Sequence, residues 1–387
     1  MVLRAKFIGI MLLAVLGVKA QNDSLKHITF NGQLTTWGVA QLENNVPWQL
    51  AGRFVPTMLG NFAVAPQSKI DFEASMNING SVNFDGFKYD NVTGQLRPYR
   101  VWVRYSGQNW EVRAGLQKIN FGSAKMFRPL MWFDGMDVRD PLQLTDGVYG
   151  ALGRYYFPNS ANIWLWTLIG NKNTKGYELF GTEQWKPEVG GRYQMPVGSG
   201  QMGLSTNFRK VHLPNLVSSI PDNDFSLNEE RIGLDGKWDI GIGLWFESSV
   251  TLTDKKNYLI PTVFNVQDAW NIGVDYTFGI GNGLGVTVEY FRYHLGPQFL
   301  TGRSAVNLIG TMLTYPVSML DNLSAMVFYS LDKNLAYNYF SWSRTYDNWN
   351  LYAIGFWNPN VPLTVSQSQN RNLFSGKGIH LMVSYNF

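Results

Sequence analysis

The last ten residues alternate without a slip: Ile379, Leu381, Val383, Tyr385 and Phe387 fall on one face, Gly378, His380, Met382, Ser384 and Asn386 on the other. A longer run behaves the same way. From Lys69 to Phe84, Ile70, Phe72, Ala74, Met76, Ile78, Val82 and Phe84 alternate with polar residues, and only Gly80 interrupts the apolar face. A strict period of two predicts strands. Strands of this length exceed the five or six residues usual in soluble sandwiches and match a tilted bilayer crossing. The pattern returns at Gln267 to Phe278 and at Leu284, Val286, Val288 and Tyr290. Between those two runs, Gly279-Ile280-Gly281-Asn282-Gly283 reads as a hairpin, because no helical pattern follows the spaced glycines.

Tight turns are expected at Ser106 to Asn109, Pro158 to Ala161, Pro196 to Gly200, Trp238 to Gly241 and Pro316 to Asn322. Longer polar stretches separate them at 121–145, 171–186, 212–227, 255–266, 295–304 and 333–347. Strands are placed near 27–41, 49–63, 69–84, 95–105, 110–120, 146–157, 160–170, 187–195, 200–211, 228–238, 241–253, 267–279, 283–294, 305–316, 322–332, 347–358, 361–369 and 376–387. The second is interrupted by Pro56 and the penultimate one is weakly patterned, so the count is about sixteen to eighteen, with eighteen the better fit.

Residues 1–20 read as a signal peptide. Arg4 and Lys6 precede an apolar core from Phe7 to Val18, too short to span comfortably, and Val18-Lys19-Ala20 offers small residues for cleavage. The remainder, 21–387, forms one domain with no linker. Of thirty-two basic residues Arg4, Lys6 and Lys19 leave with the signal, so twenty-nine face twenty-eight acids and the mature chain is nearly neutral. A nucleic-acid partner is therefore not implied. Cysteine is absent, which excludes disulfides and thiolate chemistry. Aromatic residues make up 15% of the chain and charged residues 16%, and no helix-length apolar stretch follows the signal.

The terminal alternation ending on Phe387, the alternating short and long connections, and cleavage before Gln21 together resemble a Gram-negative, Bacteroidota-like, outer-membrane porin-type β-barrel. The resemblance implies an all-β fold, a single antiparallel transmembrane β-barrel in the cell outer membrane, with short turns in the periplasm. It also implies that Phe387 is read by the outer-membrane insertion machinery. The apolar outer face would contact the lipid bilayer and is compatible with a homo-oligomer. In the hairpin at Ser106 to Asn109 a four-residue connection sets Tyr105 opposite Trp110 and Arg104 opposite Glu111. Tyr99, Val101, Val103 and Tyr105 then face lipid, and Arg100, Trp102, Arg104, Glu111, Arg113, Gly115 and Gln117 face inward. Arginine pointing into mid-membrane lipid would cost about 2–4 kcal/mol each.

So polar an interior calls for a watery lumen, and the segment from Phe121 to Pro141 is the candidate constriction. It is too apolar for solvent yet carries both charge signs. Folding inward would bury Met131, Trp132 and Phe133 and leave Lys125, Arg128, Asp134, Asp137, Arg139 and Asp140 to line a pore. This layout is similar to porins that tuck a long loop, here near 121–145, inside the barrel. Asp134, Asp137 and Asp140 lack the ligand order of an EF-hand, so pairing with Arg139 and Arg128 is the simpler reading. His27, His212, His294 and His380 are scattered; a hydrolytic site at His294 beside Glu289 and Arg292 is the least favoured alternative. Trp102, Met326 and Phe328 in inward phase suit the other alternative, a structural, assembly or adhesion barrel blocked by aromatics. The expectation is a channel for passive diffusion of small hydrophilic solutes or ions, not an enzyme, with no cofactor and no metal.

Overall fold

The computed structural model describes residues 28–42, 47–212, 226–254, 265–299, 305–361 and 374–387. The signal at 1–20 and His27 lie outside these residues. The first nine strands are β1 (Ile28–Gln41), β2 (Pro47–Ala65), β3 (Ser68–Asp85), β4 (Lys88–Ser106), β5 (Trp110–Gln117), β6 (Val148–Tyr156), β7 (Asn162–Leu168), β8 (Glu188–Val197) and β9 (Gly200–His212). The other nine are β10 (Ser226–Asp239), β11 (Gly243–Thr253), β12 (Val266–Phe278), β13 (Leu284–Gly296), β14 (Val306–Pro316), β15 (Asp321–Ser330), β16 (Leu335–Tyr346), β17 (Trp349–Trp357) and β18 (Lys377–Asn386).

Every strand pairs antiparallel with its sequence neighbours, and β1 also pairs with β18, so the sheet closes into an 18-stranded barrel. At the seam Gln33 stands opposite Asn386 and Gln41 opposite Gly378. Both ends of the described chain lie on the rim that carries the short turns, and the long connections lie on the other. Alternation sets the two faces: Val101, Val103, Val112, Leu165, Ile272 and Leu381 are exposed outward, while the carboxylates of Asp71, Glu111, Glu247 and Glu289 are buried inside. The turn rim carries an aromatic belt of edge-to-face or tilted pairs, including Tyr105–Trp110 at 5.2 Å, Tyr276–Phe278 at 4.8 Å and Trp349–Tyr385 at 4.7 Å. Interfacial aromatics of this kind seat a barrel at the headgroups.

Several local expectations are corrected. β16 occupies most of 333–347, which the polarity of the sequence marks as a loop, and the connection before it is only Leu331 to Asn334. Its alternation is hidden because Tyr337 and Tyr339 are buried inside, packed under the loop, while Asn338 and Arg344 fall on the outer face at the two rims. The strand expected at 361–369 falls almost wholly outside the described residues, and β18 follows β17 in the ladder. The hairpin at 106–110 is shifted: Ser106 joins the ladder opposite Glu111, so Tyr105 faces Val112 and Arg104 faces Arg113. Face parity survives, since a shift of two keeps every side chain on its side. Tyr99 does not face lipid. A bulge between Arg100 and Pro98 leaves it unpaired and turns it to the lumen, where the Arg100 guanidinium lies 4.1 Å from its ring. Pro56 does not break β2; it sits opposite Gly32 in a gap of the β2–β3 ladder.

The seam depends on one close approach. Phe387 exchanges both backbone hydrogen bonds with Gly32 at 3.0 Å, and its ring covers Gly32 so closely that a Cβ there would overlap it. The ring also stacks on Phe54 and Tyr385, each at 6.1 Å. Gly32→Leu and Phe387→Ala should each lower the temperature at which the barrel unfolds, equivalent to about 1–3 kcal/mol for two lost aromatic pairs. The check is the heat-dependent band shift in semi-native gels; an unchanged shift in both variants would remove the ring from the seam.

Candidate pore and constricting loop

The connection from β5 to β6 does not leave the barrel; residues 118–147 cross the lumen to the opposite wall. Two wall carboxylates hold it there. Glu247 on β11 accepts the backbone N–H groups of Ser123 and Ala124 at 2.9 Å and of Leu130 at 2.6 Å. Glu289 on β13 accepts those of Lys125, Met126 and Phe127 at 2.6, 3.0 and 2.8 Å. Six amides with no strand partner thus find two fully buried acceptors, which answers the polar accounting that a loop inside a barrel must meet. Gly122 makes this approach feasible: at φ +99° it adopts a backbone that disfavours side chains, and a Cβ would strike the Glu247 carboxylate. Trp245 and Asn271 also donate to Glu289, at 3.2 and 2.9 Å.

Apolar side chains fill the space on either side of this crossing. Phe121, Leu130, Trp132 and Phe133 pack on Leu152, Trp166 and Leu168 of β6 and β7. Met126 and Phe127 pack on Phe291, Leu308, Phe328 and Tyr339 of β13 to β16. Met326 and Phe328 therefore do point inward, as aromatic and thioether padding beneath the loop.

The charged candidates divide into three groups. Arg128 is buried, bonded to Asp134 at 3.4 Å, to the Phe121 carbonyl at 3.2 Å and to Asn120, so it staples the loop to itself. Gln117 is wholly buried and bonds the carbonyls of Arg113 and Gly150, and Arg100 donates to those of Tyr99 and Thr145 at 2.6 and 2.7 Å. These residues build the wall and the loop's return. Lys125 reaches Asp275 on β12, above the Trp245 ring, along the wall that holds the loop. Arg139 is forked onto Asp137 at 2.7 and 2.8 Å and lies against Tyr339 and Phe374. Asp140 accepts from the Leu142 amide at 3.0 Å; burial raises its carboxyl above the usual carboxylate range, against the pull of that amide and of the Arg53 charge.

On the turn side of the loop lies the third group. Glu111 gathers Arg104 at 3.1 Å, Arg154 at 3.0 Å and Arg113 at 4.0 Å, and Arg104 also binds Asp71 at 2.9 Å. Trp102 donates to Glu73 at 3.0 Å, with Arg113 over its ring at 4.7 Å. Three guanidinium groups on β4, β5 and β6 thus share two carboxylates. Above the loop, on the long-connection side, a cavity of about 710 Å³ opens against β1 to β4, lined by Gln49, Arg53, Asn79, Ser81, Gln95 and Asp140 among others.

The sequence-based reading missed Glu247 and Arg53, and it set Glu289 beside His294 instead of under the loop. An acid in inward phase on β11 and β13 was visible, but what it holds lies more than a hundred residues away. His294 is not beside Glu289, which faces the lumen. Its Nδ1 lies 2.8 Å from Asp268 on the opposite face of the same strands, both buried. No group of three metal-ligating side chains exists among the described residues, and Asp137 is taken up by Arg139.

No protein-family model matches the sequence, and no curated relative does. Among solved structures, OccAB4 of Acinetobacter baumannii aligns over 95% of this chain and 100% of its own with 10% identity and a TM-score of 0.54. OccAB1 of the same organism gives 9% identity over 96% and 99%, also at 0.54. Wzi of Escherichia coli, described as an outer-membrane protein involved in group 1 capsule assembly and a carbohydrate-binding β-barrel, gives 11% identity over 92% of this chain and 84% of its own at 0.53. At these identities the likeness is one of fold. That fold, with its apolar belt and closed ladder, is the outer-membrane β-barrel, and the chain is a protein of the outer membrane.

Proposed function

We propose that this barrel conducts small hydrophilic solutes or ions passively across the outer membrane, with residues 118–147 as its constriction. The supporting observation is the clamp: Glu247 and Glu289 fix the loop across the lumen and leave a polar cavity between it and the β1–β4 wall. A fixed constriction in a polar lumen is how a wide barrel limits what passes. In this reading the short turns are periplasmic, residues 1–20 are removed on export from a Bacteroidota-like cell, and Phe387 is presented to the insertion machinery. A homo-oligomer in this reading packs through the same apolar belt that meets lipid. Selectivity arises from Arg104, Arg113 and Arg154 on the turn side and from the loop charges, and conduction involves neither catalysis nor a cofactor.

A second reading, a barrel that binds carbohydrate or assembles partners without conducting, is favoured by the aromatic mass of Phe127, Phe291, Phe328 and Tyr339 on one side of the lumen. Purified protein in planar bilayers separates the two. Discrete conductance steps are expected; silence under both polarities would leave the second reading. Glu247→Ala with Glu289→Ala should give larger, noisier steps, because about 1–3 kcal/mol is lost for each of the orphaned buried amides and the loop leaves the wall. Arg104→Glu with Arg113→Glu should move the reversal potential toward cation preference, whereas an unchanged potential would place the selective charges elsewhere.

A further inference from the structure

Buried polar atoms without a hydrogen-bond partner occur singly at residues such as Arg113, Arg154, Arg192 and Asn271, but a group of them lies together at one cavity. Trp37 on β1, Arg53 on β2 and His380 on β18 all line the cavity above the loop. Each keeps buried polar atoms without a hydrogen-bond partner: Trp37 Nε1, Arg53 Nε and both ring nitrogens of His380, whose residue is only 3% exposed. The three are neighbours on the inner face across the seam. His380 stands opposite Val39, two positions from Trp37, and the Arg53 guanidinium lies 5.2 Å over the Trp37 ring. A buried polar atom left unpaired costs about 1–3 kcal/mol, so four in one patch on one cavity mark a surface built to be completed by a molecule that enters.

The adjoining wall indicates which molecule. Gln49 donates to Asn83 at 2.7 Å, Asn83 to Asn91 at 2.7 Å, Asn79 to Asn77 at 3.1 Å, and Ser81 and Thr93 share a bond of 2.8 Å. Amides and hydroxyls carry donor and acceptor together. The charges around them are compensated: Arg97 pairs with Asp146 at 2.8 Å, Arg139 with Asp137, and Arg128 with Asp134, while Asp140 feels the charge of Arg53. Along the β1–β4 wall an ion finds little uncompensated charge, and the free charges of Lys172 and Lys175 lie on the β7–β8 connection at another side of the cavity. A polyol finds alternating donors and acceptors, and an indole face for its C–H surface. The volume, about 710 Å³, lies within the range of about 300–1,000 Å³ typical of small-molecule sites.

We infer that this cavity is a binding station for a short neutral saccharide, with Trp37, Arg53 and His380 setting its affinity and the amide ladder of β2 to β4 its orientation. The inference takes its access route from the channel reading above. The probe is maltotriose, added to the full-length protein in planar bilayers. The sugar should reduce ion current in a saturable manner, and Trp37→Phe, Arg53→Met, His380→Ala and, away from the seam, Asn79→Leu should each weaken half-block about three- to tenfold. Half-block is read relative to each variant's own sugar-free conductance, and the band shift in semi-native gels confirms folding. Open channels that maltotriose never blocks, or block that all four variants retain, would overturn the inference and leave the channel intact. So would block by inorganic phosphate in place of the sugar. If no conductance appears at all, calorimetry in detergent decides: maltotriose binding lost in the variants upholds the station without the channel, and absence of binding overturns it.

Discussion

A chain that crosses lipid has no water with which to satisfy its backbone, and each unpaired N–H or C=O there costs several kcal/mol. The β1–β18 pairing, from Gln33 with Asn386 to Gln41 with Gly378, meets that constraint by leaving the sheet without an edge. The rest follows from closure. Strands must be long, side chains must alternate between lipid and lumen, and eighteen strands enclose more space than wall side chains alone would fill. The glycine at 32 matters for the same reason, because Phe387 completes the ladder only by lying flat over it.

The lumen left by closure is divided rather than filled. A loop brought inside carries its own unpaired amides, and the barrel supplies carboxylates where those amides arrive. Glu247 and Glu289 do for the loop what the ladder does for the strands. Apolar padding from Phe291, Phe328 and Tyr339 beneath Phe127 then fixes one flank, and the opposite flank stays polar and open against β1 to β4. The two flanks of the same cross-section are thus built differently, one packed and one polar and open. In the turn-side cluster around Glu111 the arginines stay partly exposed to the lumen, while Arg128 is sealed within the loop.

Local pattern was informative where one face of a strand is uniformly apolar. Lys69 to Phe84 and Gly378 to Phe387 announce themselves because lipid accepts only one kind of neighbour. β16 did not, since Tyr337 and Tyr339 pack against a loop inside while Asn338 and Arg344 sit at the rims outside, which mixes both faces. Register was also beyond the pattern: a shift of two residues in the β4–β5 hairpin changes every partner and no face, so parity holds Arg104 and Glu111 in the lumen without saying which residue opposes which.

The sequence by itself determined the antiparallel outer-membrane barrel, the inward set of Arg104, Glu111 and Arg113, and an apolar connection after β5 too hydrophobic for solvent. These follow from period, length and solvent preference, which are properties of neighbours along the chain. Only the tertiary structure decided what the loop touches, that Arg100, Gln117 and Arg128 are consumed in holding it, and that Trp37, Arg53 and His380 meet at one cavity. The loop's bonds to Glu247 and Glu289 join residues more than a hundred positions apart, and the cavity brings together opposite ends of the chain. They arise from closing the ring, and no local pattern encodes where a closed ring brings its distant members together.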